Sequence, residues 1–138
     1  MFQRLVVASV VVLACLSVAR GADDEVAQAS AAAKSWLTLT DGEKYGDAWE
    51  AASAFLRGAV TKDRFTHDLT GVRTPLGAVQ SRKLSKASPT HQLPGAPDGD
   101  YVVIRFETVF KNKAHAIETI TPMKEKDGAW RVSGYFIK

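Results

Sequence analysis

Cysteine is almost missing from this sequence: Cys15 is the single one in 138 residues, and it lies within the first twenty. A chain that loses that segment has no thiol. Disulfides, cysteine nucleophiles and cysteine metal ligands are then excluded, and the fold must rest on its hydrophobic core. Long apolar runs are lacking too, since the run from Leu5 to Val18 has 14 residues and a spanning helix needs about 20. No charge sign dominates. The 18 basic residues, less Arg4 and Arg20 of the leader described next, leave 16 against 15 acidic ones, too near balance to attract nucleic acid. There is no Gly-rich phosphate loop, nucleophile elbow or basic-aromatic strip, and no cofactor motif. His67 beside Asp68 and the isolated His91 lack metal-ligand spacing, so no metal site is expected.

What is present begins with a leader. Arg4 forms a short basic n-region, the apolar run follows, and Ala19 and Gly21 stand at the small-residue spacing of a secretory cleavage site. The expected organisation is a signal peptide over residues 1–21 and one domain over residues 22–138, exported to the periplasm or secreted, with no permanent membrane span. Cys15 in "VLAC" also offers a lipoprotein reading, in which the product is a lipid-anchored envelope scaffold. The 138 residues less the 21 of the leader leave 117, enough for a sizeable core.

Apolar residues Val26, Ala29, Ala33, Trp36 and Leu37 recur at helical spacing, and the acids Asp23, Asp24 and Glu25 suit a helix start, which predicts a helix from Asp23 to Thr40. After "DGEKYG", Tyr45, Ala48, Trp49, Ala52, Phe55 and Ala59 predict a second helix. Thr61 is the expected N-cap of a third, carrying Phe65, Leu69 and Val72 until Pro75 stops it. The period then changes to two. "AVQSRKLSKA", "YVVIRFETVF", "AHAIETITPM" and "WRVSGYFIK" read as strands of an antiparallel meander, with turns at Asn112–Lys113 and Asp127–Gly128. These turns set Phe106 opposite Thr119, Glu107 opposite Glu118, Met123 opposite Val132 and Thr119 opposite Phe136. The inner face then collects Val102, Ile104, Phe106, Phe110, Ile117, Met123, Trp130, Val132 and Phe136, and the outer face Arg105, Glu107, Glu118, Ile120, Tyr135 and Ile137. The fold class is α+β, three N-terminal helices on a curved antiparallel sheet of about four strands.

Several segments occur together in order: "SWLTLTDGEKYGDAWEAASAFLRGAV", "VRTPLGAVQSRKL", "LPGAPDGDYVVIRFETVF", "ETITPM" and "DGAWRVSGYFIK". In these the chain, from about Ala29 to Lys138, resembles a bacterial family known as domain of unknown function 4019. The resemblance carries no catalytic residues over. Its helices-then-sheet order is similar to the cone-shaped nuclear-transport-factor-2-like (cystatin-like) fold, which hosts isomerases, dehydratases, ligand binders and dimerisation modules. That likeness alone does not choose among them.

On the expected register, His115, Thr119 and Thr121 join Phe106 and Phe136 as candidates to line a pocket for a small apolar ligand. Arg105, Glu107, Glu118 and Tyr135 fall on a half-apolar outer face suited to a homodimer. Glu107 and Glu118 as cross-strand neighbours have two readings, acid-base work or neutralisation by Arg105 or Arg131. The stretch "RTPLGAVQSRKL" also has two: Arg73, Arg82 and Lys83 form an anion site, or they flank a Pro-Gly joint with Arg73 paired to an acid such as Asp68. No catalytic residue stands out, and the residues favour a ligand-binding or assembly module, with an envelope protein as another candidate partner. An isomerase-like or dehydratase-like enzyme using His115 is the alternative.

Overall fold

The computed structural model describes residues 14–138, with side chains from Gly21 onward. Most of the expected leader lies outside these residues, as does its lipidation reading at the Cys15 side chain. Among the described residues no helix is long and apolar enough to cross a membrane. Four helices, α1 (Ala14–Asp41), α2 (Tyr45–Glu50), α3 (Ala54–Ala59) and α4 (Lys62–Leu76), precede four strands. The strands β1 (Val79–Thr90), β2 (Tyr101–Phe110), β3 (Lys113–Lys124) and β4 (Trp130–Ile137) form one antiparallel sheet in sequence order. The α+β class and the meander are as the sequence implies.

The helix α1 does not start at Asp23; it runs unbroken through Gly21, and Asp23 to Glu25 lie within it. Its expected face is buried, with Ala29, Ala33, Trp36 and Leu37 all in the core. The small alanines let the sheet approach closely, while Trp36 packs edge-on against Phe65 and Tyr135. The single second helix of the sequence reading is two short ones. Ser53 breaks it: its side chain caps α3 by accepting from the Leu56 amide at 3.2 Å, and its own amide donates to the Val132 carbonyl at 2.9 Å. Thr61 caps α4 as expected, accepting from the Arg64 amide. Pro75 lies inside the last turn, and the helix ends one residue later at Leu76, capped by Gly77, whose φ is 74°.

The sheet corrects the expected faces. The first turn is Lys111–Asn112, not Asn112–Lys113, because it is tied to the α4–β1 joint. Lys111 and Asn112 donate their amides to the Ala78 and Leu76 carbonyls, and the Asn112 side chain reaches the Pro75 carbonyl. A bulge follows, with Ala114 and His115 opposing Val109, so Phe106 faces Glu118 and Glu107 faces Ile117. That one-residue slip turns all of β3 over. Ala116, Glu118, Ile120 and Pro122 point to the helices, and Ile117, Thr119, Thr121 and Met123 point away.

A second bulge, at Ser133, offsets Pro122↔Val132 from Thr121↔Gly134. It accommodates a proline, which cannot donate to the ladder, in an interior strand. The Ser133 hydroxyl donates to the Thr121 carbonyl across the gap. The expected Thr119↔Phe136 pair is present, but Val132 faces Pro122 rather than Met123, and Tyr135 and Ile137 turn inward while Phe136 turns out. The second hairpin turns at Lys126–Gly128 and not at Asp127–Gly128 alone: Glu125 donates its amide to the Ala129 carbonyl at 2.8 Å, Gly128 donates to the Glu125 carbonyl at 2.9 Å with φ 83°, and the added loop residue sets Val132 opposite Pro122.

Candidate functional site

Inverting β3 brings an acid into the core. Glu118 is fully buried, opposite Phe106 on the helix-facing side of the sheet. A carboxylate there requires donors at every lone pair, and four are present. Arg82 reaches one oxygen through Nε at 2.7 Å and the other through Nη2 at 3.2 Å. The Thr108 hydroxyl donates to the first oxygen at 2.5 Å, and the Tyr135 hydroxyl donates to the second. Register explains the convergence: Arg82 pairs with Thr108 across β1 and β2, and Glu118 pairs with Ile137 beside Tyr135.

The same Arg82 forks a second carboxylate, Asp41 at the end of α1, at 2.8 and 3.0 Å. Arg73 of α4 donates to Asp41 at 2.9 Å and to the Thr40 hydroxyl at 3.2 Å. The Arg73 side chain is 5% exposed, and its guanidinium lies over the Phe110 ring, 5.2 Å from the centroid. Two guanidiniums and two carboxylates thus close a neutral cluster joining α1, α4, β1 and β3, with Tyr135 linking β4. Burial works against the ionised form of Asp41, but hydrogen bonds from Arg82 and Arg73 outweigh it and hold the carboxyl below its ordinary range. Burial, and then the adjacent Glu118 carboxylate, push the Tyr135 hydroxyl well above the usual tyrosine value.

Both readings of the stretch Arg73–Leu84 are thereby resolved. Arg73 and Arg82 do form an anion site, but its anions are the chain's own, Asp41 and Glu118. Asp68 belongs to Arg64, at 2.9 Å, and not to Arg73. Lys83 points to the opposite face, in register with Glu107.

The other sequence candidates do not converge on a pocket. Phe106 is buried in the core, His115 is exposed at the β3 bulge, Thr119 and Thr121 sit on the outer face, and Phe136 is 53% exposed there. Of the expected interface residues, Arg105 and Glu107 are on the outer face as placed, whereas Glu118 and Tyr135 face inward and leave it. Glu107 and Glu118 are not cross-strand partners. Sequence reading passed over Thr40, Asp41 and Thr108. The available signal was Thr108, a hydroxyl sharing the inward phase of Phe106 and Phe110 on a buried strand.

Beside the cluster lies a groove of about 430 Å³ between α3, α4 and the β4 edge. Leu56, Val60, Phe65, Leu69 and Val72 line one side and Gly134 to Ile137 the other, with Asp68 the single charged liner. Tyr135 joins the two features, its ring on the groove and its hydroxyl on Glu118. Among the described residues no group of three or more histidine, cysteine, aspartate or glutamate side chains is arranged to hold a metal ion.

The architecture defines a small α+β domain whose helices and meander sheet are joined by an internal ion cluster. A family model described as "Protein of unknown function (DUF4019)" matches residues 32–135, and the chain belongs to that family. No curated protein and no solved structure matches it.

Proposed function

We propose that this chain is a non-catalytic binding module, exported to the cell envelope, that takes a small apolar ligand in the groove beside β4. The observation that carries this is the groove's composition and size: about 430 Å³, nearly all hydrocarbon, within the 300 to 1,000 Å³ typical of small-molecule sites. The polar interior supports it from the other side. All four acceptor positions of Glu118 are taken by donors, so it has no lone pair free to accept a substrate proton. Helices followed by a meander sheet also support the cone-like, nuclear-transport-factor-2-like reading of the fold, with the groove as an opening between its helical and sheet layers.

Native mass spectrometry of the protein recovered from the exported fraction tests the proposal. The expected result is a chain starting at Ala22 with an apolar adduct that disappears on denaturation. Val72, 46% exposed on the groove wall, accepts a charge without unfolding the domain, so Val72→Arg should lose the adduct and the fluorescence of bound anilinonaphthalene sulfonate. No adduct together with equal dye binding in both chains would refute the groove as the site. An unprocessed chain would refute export separately.

A further inference from the structure

The outer face of the sheet carries an imbalance that neither the fold nor the groove uses. Register lays two complete rows across it, Lys83–Glu107–Ile117–Lys138 and Lys86–Arg105–Thr119–Phe136. Four basic side chains therefore face one carboxylate side chain, and among the described residues none of these five forms an ion pair. Elsewhere among the described residues Arg73, Arg82, Arg64, Lys62, Lys124 and Arg131 are matched with acids, while Lys34, Lys44, Arg57, Lys111, Lys113 and Lys126 form no ion pair, so what sets this face apart is that four basic side chains share it with one carboxylate. The near balance of the chain without its leader, 16 basic against 15 acidic residues, thus hides a one-sided field.

Within each row one large apolar side chain stands exposed among the cations, Ile117 at 46% and Phe136 at 53%. Between Lys83 and Lys138 an open hollow of about 680 Å³ is bounded by Ser81, Glu107, His115 and Ile117. A second copy of the chain does not complement this face. Stacked on itself, it would set Lys83, Lys86, Arg105 and Lys138 against the same cations.

We propose that this face docks on an anionic lipid bilayer, with the lysines and Arg105 at the phosphates, a headgroup in the hollow, and Ile117 and Phe136 dipping into the interface. Charge complementarity selects an anionic partner. The two apolar side chains standing out among the cations favour a surface with hydrocarbon beneath its charge over a purely polar polyanion. The proposal is independent of the groove, although Phe136 borders both.

The test is co-sedimentation of the full chain with vesicles of phosphatidylcholine alone and of phosphatidylcholine with phosphatidylglycerol, so that any affinity of the apolar leader is common to both. The expected result is preference for the anionic vesicles that weakens as salt is added. Lys83→Gln with Lys86→Gln should cut that preference about 25-fold, at about fivefold per cation. Arg105→Gln should cut it about fivefold on its own, whereas Lys126→Gln, in the exposed β3–β4 turn, should leave it unchanged. Equal partition to the two vesicle types overturns the proposal. So does a preference that the lysine variants leave intact, which would make them only guards of the β1 edge. Binding to polyglutamate or DNA without binding to vesicles would assign the face to a polymer and overturn it as well.

Discussion

At the scale of residues, Glu118 decides more than any other side chain. A buried carboxylate that loses its charge leaves its cation and hydroxyl donors facing an acceptor that no longer matches them. Breaking one side of such a pair costs about 3 to 5 kcal/mol. Glu118→Gln is therefore expected to lower unfolding stability by about that amount, read from urea denaturation, because Arg82 and Tyr135 keep their geometry but lose the anion. A loss within experimental error would mean that the cluster is not needed to hold the sheet on the helices. Asp41 adds a pH signature. Its folded carboxyl titrates below the ordinary 3.8, so the unfolded chain binds the proton first as pH falls. The stabilisation is present above about pH 4 and disappears as pH drops through the folded value, which is the sign for a depressed acid. Asp41→Asn should be less stable at neutral pH and should show a shallower fall in stability below pH 4. Parallel acid limbs in the two chains would contradict this.

At the scale of elements, the strands and the first and last helices were legible because each writes its own period, and Thr61 supplied local punctuation, whereas the break at Ser53 that divides α2 from α3 was not. The facing of β3 was not legible. It depends on one residue of slip at a bulge, and that slip follows from bonds between the Lys111–Asn112 turn and the α4–β1 joint, 35 residues or so earlier in the chain. Nothing within "KNK" encodes those partners. Because the slip was hidden, Glu118 and Tyr135 were read as surface residues and the ion cluster was invisible, even though Arg73 and Arg82 had been singled out. The same joint gives an element-scale prediction. Gly77 has φ 74° and ψ −166°, a region open essentially to glycine alone, and a Cβ there would meet Lys111 Cβ at 3.1 Å and Asn112 Nδ2 at 3.2 Å. Gly77→Ala should cost about 1 to 3 kcal/mol, measured by thermal or urea unfolding. A neutral substitution would show that the joint adjusts freely and does not set the register of the β2–β3 turn.

At the scale of the whole molecule, the question is whether the helical layer and the sheet unfold together. The sheet is a sequential meander whose strands pair with their neighbours in the chain, and its inner face shares one hydrophobic core with the helices. Two features couple the layers. Trp36 of α1 donates to the Ala48 carbonyl while packing on Phe65 and Tyr135, so its indole touches α2, α4 and β4 at once. The ion cluster does the same for charge: detaching α1 and α4 would leave Arg82 without Asp41, and Tyr135 without its helical cover. Both make partial separation more costly than a list of contacts implies, because a stripped buried charge or hydroxyl is penalised in full. The expected behaviour is a single cooperative transition, with tryptophan fluorescence from Trp36, Trp49 and Trp130 and far-ultraviolet circular dichroism giving coincident urea curves. In Glu118→Gln the two curves should separate, fluorescence changing first as the helical layer loosens from a sheet that persists. Coincident curves in that variant would place the coupling in the hydrocarbon around Trp36 and leave the cluster to fix only the register of β3.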